Sequence, residues 1–220
     1  MTSPLLEIIA LTADDARAAT DGGADRLEVV ADMASDGLTP DVATVAAIRR
    51  ASALPIRVML RTAAGFAVGD EAALSRAAAA LREAGADGFV LGFLGGDGQP
   101  DTAAMTRLAE VGGLPWTCHR CVDHAVDYPA AIAAVTPLPG LDQVLTAGSP
   151  DGLRHGLASV LRVAASTPVL AGGGLTPEAV GPLRAAGVLG FHVGSAVRTS
   201  WDAPVDAERV ANWRRLVDTA

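Results

Sequence analysis

The chain of 220 residues contains no lysine, and all 17 of its basic residues are arginine. That absence excludes Schiff-base chemistry and a lysine general base, since both need an amine able to lose its proton. Cysteine is almost as scarce: Cys118 and Cys121 are the two present, and a single pair three positions apart is no disulfide framework. No stretch approaches the ~18 uninterrupted apolar residues of a membrane span. The opening MTSPLLEIIALTADDAR lacks a basic segment ahead of a long apolar one, so neither a secretory leader nor a membrane anchor is expected, and a cytoplasmic location is. Basic charge is in deficit overall. The net charge of −8 repels phosphate backbones and argues against nucleic acid as a partner.

What the chain does have is apolar surface and a regular alternation. Half of its residues are hydrophobic, enough for one substantial core. The length is near the short end for an α/β barrel and makes an inserted domain unexpected. Strands are expected at 5–10, 25–31, 55–61, 88–94, 115–123, 142–148, 168–174 and 190–198. Helices are expected at about 12–22, 40–52, 70–84, 101–111, 127–135, 151–165, 176–186 and 205–218. Asp14, Thr39, Asp101, Asp151 and Thr176 stand where N-caps belong, Pro40 and Pro177 at first helical positions, and Gly22, Gly23, Gly85 and Gly187 where helices end. Eight strands alternating with eight helices predict an α/β fold, a single (β/α)8 TIM-like barrel over residues 1–220, with an open doubly wound sheet as the alternative.

Charged groups interrupt the apolar strands. Glu7 lies on the first. Arg26 and Glu28, two apart on the second, share a face. Arg61 is in phase with Arg57 and Met59, His119 with Thr117, Cys121 and Asp123, and His192 with Gly194, while Thr146 lies on the sixth strand. An unpaired ion inside a barrel is costly. Either Glu7, Arg26, Glu28 and Arg61 neutralise one another in an internal network, or these side chains and the imidazoles converge on a site at the strand C-termini. The candidate catalytic set is Glu7, Arg26, Glu28, Arg61, His119, Asp123 and His192. His119 and His192 can titrate near neutrality and are candidate acid and base. Glu7 or Glu28 could orient a histidine or act as a base if desolvated, and Arg61 could clamp a carboxylate or phosphate.

Two glycine-rich segments follow the last two strands. LAGGGLTPEAV supplies Gly172, Gly173 and Gly174, and FHVGSAVR supplies Gly194 and Ser195. Their amides are candidate anion-binding groups, because in barrels this corner commonly holds phosphate; tight turns alone are the plainer explanation. Cys118-His119-Arg120-Cys121 falls in an expected strand, which would put the two sulfurs on opposite faces, and no second ligand pair follows. They are read as small buried hydrophobes, with no metal site assigned. Cys121 and Met59 could share the lumen, as soft copper(I) ligands would.

The phrases along 5–198 resemble the CutC family of copper homeostasis proteins. LEIIALT is similar to the family's LEICxxS, GGADRLEVVA to NGADRIELCA, DGLTPD to GGLTPS, MLR to the start of MIRPRGG, CHRCVD to FHRAFD and VLTAG to ILTSG, with AGGGLTPE and FHVGSA closing the match. The resemblance implies a TIM-like barrel, a cytoplasmic location, self-association and a part in copper homeostasis or copper binding. It places Glu7, Arg26, Glu28, Arg61, His119, Arg120, Asp123, Thr146 and His192 on the family's polar positions. Ile9 and Val30 stand where the family carries cysteines on strands one and two, and Arg61-Thr62-Ala63-Ala64-Gly65-Phe66 replaces its RPRGGDF loop. Copper as a ligand is thus implied by resemblance alone. The alternative is an isomerase, aldolase-like enzyme or lyase acting on a small anionic or phosphorylated metabolite. The closing ANWRRLVDTA, with Trp213 and Leu216, and the earlier Trp201 could cover the barrel or form a subunit interface.

Overall fold

The computed structural model describes residues 3–220. Its strands are β1 (Leu5–Ala10), β2 (Arg26–Val29), β3 (Ile56–Met59), β4 (Gly88–Leu91), β5 (Trp116–Cys118), β6 (Leu141–Thr146), β7 (Val169–Ala171) and β8 (Gly190–Val193). Its helices are α1 (Ala13–Asp21), α2 (Val42–Ala51), α3 (Glu71–Glu83), α4 (Thr102–Gly112), α5 (Tyr128–Val135), α6 (Leu153–Val163), α7 (Pro177–Ala185) and α8 (Ala207–Thr219). The strands run parallel in chain order and close into a barrel. Closure is explicit at the first strand, where Glu7 lies opposite Arg26 on one side and His192 on the other. The open sheet is thereby excluded.

Both faces of the sheet are buried, and they differ in chemistry. On β1, Leu6, Ile8 and Ala10 join the apolar core shared with the helices, while Glu7 faces the lumen and Ile9 its mouth. The lumen floor is polar. Arg57 pairs with Asp142 and donates to the Pro115 carbonyl at 2.6 Å, and Arg26 donates to Gln143. Gly88 makes room for this, since a Cβ there would lie 2.1 Å from Arg57 Nη1.

Six helices start on a side-chain oxygen that accepts a backbone N–H: Thr12, Asp41, Asp70, Asp101, Asp127 and Asp206, each contributing about 1 kcal/mol. Asp101 is where the sequence puts it, as are Thr176 and Pro177 at the start of α7. Three caps fall elsewhere. Thr12 replaces Asp14, which pairs with Arg17 instead. Gly152 replaces Asp151. Asp41 replaces Thr39, so Pro40 precedes α2 rather than opening it; Thr39 is occupied by the backbone N–H and carbonyl of Arg61.

Seven of the eight expected strands overrun. The segment 115–123 is extended only to Cys118 and turns into a 3-10 helix at Arg120–His124; 190–198 ends at Val193, before a 3-10 turn at Ser195–Val197. Among the described residues no helix is long and apolar enough to cross a membrane.

Candidate functional site

A cavity of about 260 Å³ opens at the C-terminal ends of the strands. Strand residues Ile9, Glu28, Met59 and His192 line it together with Arg61, Phe66, His119 and Trp201. Beneath it lies a charged layer made by adjacent strands. Glu7, with no exposed surface, accepts from Arg26 Nε at 2.5 Å and contacts His192 Nδ1 at 2.8 Å. Burial alone would raise its carboxyl pKa, but the Arg26 guanidinium and the His192 ring outweigh that and hold it at about 2. Glu7 is therefore a carboxylate that fixes a proton on His192 Nδ1 and turns Nε2 toward the cavity.

Glu28 has the opposite fate. Its Oε2 lies 3.6 Å from His192 Nε2, and its Oε1 is buried without a hydrogen-bond partner. Burial, reinforced by the negative charge of Glu7, raises its pKa to about 7 despite His192 and Arg26. His192 is raised as well; its burial opposes the charge, and the carboxylates of Glu28 and Glu7 prevail. Glu28 and His192 thus face each other with both proton affinities raised, and they titrate as a coupled pair.

His119 presents a fixed donor. Its Nδ1 accepts the Cys121 N–H at 3.0 Å, which leaves the ring proton on Nε2, and Nε2 is buried without a partner.

Arg61 departs from the expected internal network. It does not meet Glu7 or Glu28. Its Nη1 donates to the carbonyls of Ser35, Asp36 and Gly37 at 2.9, 3.1 and 3.1 Å, its Nε to that of Gly65 at 2.9 Å, and Phe66 lies 5.2 Å away beneath the guanidinium. Among the described residues its Nη2 has no acceptor and no carboxylate lies within 4.0 Å. Arg61 is only 3% exposed.

Gly173, Gly174, Gly194 and Ser195 line the cavity. Gly173 and Gly174 have φ of 69° and 87°, a left-handed backbone that glycine adopts without strain. The amides of Gly173, Gly174 and Ser195 donate to nothing among the described residues. Gly172 stands behind the wall. Its N–H goes to the Thr146 carbonyl at 3.2 Å, and a Cβ would meet Leu145 and His192.

Asp123 also lies outside the wall. It accepts from Thr146 Oγ1, Ala147 N, Gly148 N and Arg120 Nε at 2.5, 2.9, 3.0 and 2.8 Å. The turn after Cys118 breaks the strand period, so Asp123 ties that turn to the end of β6 instead of sharing a face with His119. The same turn corrects the cysteine geometry. Their sulfurs are 3.9 Å apart rather than on opposite faces. Both are buried in the main core, Cys121 with its thiol pKa raised by burial, whereas Met59 belongs to the cavity wall. Cys121 and Met59 therefore do not share the lumen.

Met33, Asp36, Arg120, His124 and Trp201 complete features absent from the expected site set. Arg120 had a signal, its place among polar positions matched to the family, and Trp201 stood out as a residue that could cover the barrel; Met33, Asp36 and His124 come from 3-10 turns and their flanks, whose path no strand periodicity reveals. Trp201 lines the cavity under Arg198, while Trp213 is core. For a metal, Glu7, Glu28 and His192 offer atoms within 4.8 Å of one another. Glu7 is engaged by Arg26, whose charge opposes a cation, so two donors remain, fewer than a typical protein-held transition metal takes.

Comparisons with known proteins agree with the barrel fold. The family model described as CutC family matches residues 5–197. A CutC family protein of Xanthomonas campestris pv. campestris is 35% identical over 196 residues, covering 85% of this chain and 81% of its own. One of Mesorhizobium japonicum is 35% identical over 180 residues, 78% and 69% of the two chains. Among solved structures, a candidate copper homeostasis protein CutC from Streptococcus agalactiae superposes with a TM-score of 0.78 at 22% identity, covering 87% of this chain and 98% of that one. Phosphoribosyl anthranilate isomerase from Thermococcus kodakaraensis gives 0.70 at 19% identity over 99% and 100%. These two likenesses speak of the fold. By the family model and the sequence relatives, the chain belongs to the CutC family.

Proposed function

We propose that the cavity binds a small organic anion and moves a proton on it, as an isomerase, aldolase-like enzyme or lyase would. Arg61 carries this reading: a guanidinium 3% exposed lines the cavity with no carboxylate in contact among the described residues, the charge of Asp36 acting on it only from beyond salt-bridge distance. A buried guanidinium held in contact only by neutral carbonyls keeps part of its desolvation cost, and an anionic ligand offsets it. The unengaged amides of Gly173, Gly174 and Ser195 supply further donors. Glu28 and His192 supply the proton exchange, and no lysine is required. We place this activity in the cytoplasm, the location that the family resemblance implies.

Thermal-shift titration with inorganic phosphate and with 2-oxobutyrate tests it. At least one should stabilise the wild-type protein, and Arg61→Met should weaken its binding about 10- to 100-fold, the loss of one charge-assisted hydrogen bond. A wild-type protein that neither anion stabilises would refute the reading.

Copper handling is a second reading, favoured by the family's name and by Met33 and Met59, two thioethers in the cavity wall. Thioethers suit copper(I). The thiols fit it poorly, being wholly buried, with Cys121 pushed toward its protonated form. Copper(I) titration should show uptake that Met33→Leu/Met59→Leu abolishes and Cys118→Ser/Cys121→Ser leaves intact. No uptake by the wild type removes copper binding.

A further inference from the structure

We infer that the chemistry of this cavity is removal of a proton from the carbon beside a carbonyl group, with Glu28 as the base and His119 Nε2–H as the donor to the developing oxyanion. The inference rests on the anion reading above and names the ligand class, a small anionic oxo compound. Two buried polar atoms at the cavity lack partners, Glu28 Oε1 and His119 Nε2. One accepts and the other donates, and nothing among the described residues satisfies either. An enolisable carbonyl compound answers both, with its acidic C–H for the carboxylate and its oxygen for the imidazole.

The supporting shell suits that division of labour. The Cys121 N–H holds His119 as the Nε2–H tautomer, so this ring offers an N–H to negative charge developing on a ligand oxygen. Glu28 turns its other oxygen to His192 Nε2, a group able to take the captured proton and return it. Ile9, Val30, Met59 and Leu145 add apolar wall to a lining that also carries Asp36, Arg120 and His124, and apolar surface strengthens a hydrogen bond to an oxyanion. At about 260 Å³ the cavity is below the roughly 300–1,000 Å³ of sites for drug-sized ligands, so the ligand has few carbons. Arg61 on the loop after β3 and the Gly173 and Gly174 amides after β7 stand four strands apart in a ring of eight, and an anionic end can anchor at either rim.

The step balances without another reactant. The C–H bond breaks and its proton passes to Glu28 Oε1. The electron pair forms a C=C bond while the carbonyl π pair moves to oxygen, where His119 Nε2–H holds it. Return of a proton from Glu28 to carbon completes either exchange or isomerisation.

In D2O, the full-length protein is incubated with 2-oxobutyrate or dihydroxyacetone phosphate. Loss of the C–H signals beside the carbonyl is followed by NMR against a protein-free blank, and binding is read in parallel from ligand line broadening. A bound probe should lose those signals at least about 100-fold faster than the blank. Glu28→Gln should still bind it and exchange about 10²- to 10⁴-fold more slowly, and His119→Phe about 10²- to 10³-fold more slowly. A probe that binds the wild type yet exchanges no faster than the blank overturns this inference and leaves anion binding standing. Absence of binding by both probes overturns this inference, and the anion reading falls with it when inorganic phosphate does not stabilise the protein either.

Discussion

Replacing Glu28 with Gln stabilises the fold at pH 8 by up to about 3 kcal/mol, while proton transfer at the cavity is lost. The sign follows from the direction in which the fold moves this carboxyl. Its pKa rises from 4.5 to about 7, so the folded chain binds the proton more tightly than the unfolded one. Stability then falls as pH climbs from 4.5 through about 7. At about 1.4 kcal/mol per pH unit, the whole fall is about 3 kcal/mol, an upper figure because His192 loses the carboxylate it faces. His192, also raised, acts in the same direction: its contribution is present below 6.5 and is lost as pH rises through its folded value. Chemical denaturation at pH 5 and pH 8 checks this. The wild type should lose stability between the two, and the Gln variant should lose much less; equal slopes would mean that Glu28 is not held protonated by burial. A residue that weakens the fold at neutral pH without serving the packing is what a functional group looks like energetically.

The opposite case lies next to it. Arg26→Met should cost about 3–5 kcal/mol at pH 7, because it leaves the wholly buried Glu7 carboxylate without its cation. Glu7 has its pKa lowered from 4.5 to about 2, so its pairing stabilises the fold above pH 4.5, and that stability drains away as pH falls toward 2. The single variant should therefore suffer most at neutral pH and approach the wild type in acid. Adding Glu7→Gln should recover much of the loss, since the orphaned charge goes with it, and a double-mutant cycle in urea measures the coupling. A cost under about 1 kcal/mol, well below that of breaking a buried pair, would show that Glu7 is not ionised in the folded chain.

The lumen phase was legible in the sequence wherever period two continued. Arg26 with Glu28, and Arg57 with Met59 and Arg61, do turn inward together, and Glu7 meets His192 across the closing seam. Strand ends were not legible. Phe93, Val122 and Val197 are fully or almost fully buried beyond the last paired residues of their strands, so the hydrophobic signal outlasts the hydrogen-bonded ladder. After Cys118 the 3-10 turn changes the period from two to about three, which moves Cys121 and Asp123 off the face that His119 keeps. The partners of Arg61 were hidden for another reason. Four backbone carbonyls hold it, and every residue type carries one, so no side-chain pattern could announce them.

That same guanidinium grips the carbonyls of Ser35, Asp36 and Gly37 in the loop after β2 and that of Gly65 in the loop after β3. The two segments are consequently a single module for redesign. Grafting either one alone from another barrel strands half of the clamp, whereas transplanting both with their arginine carries a self-contained rim.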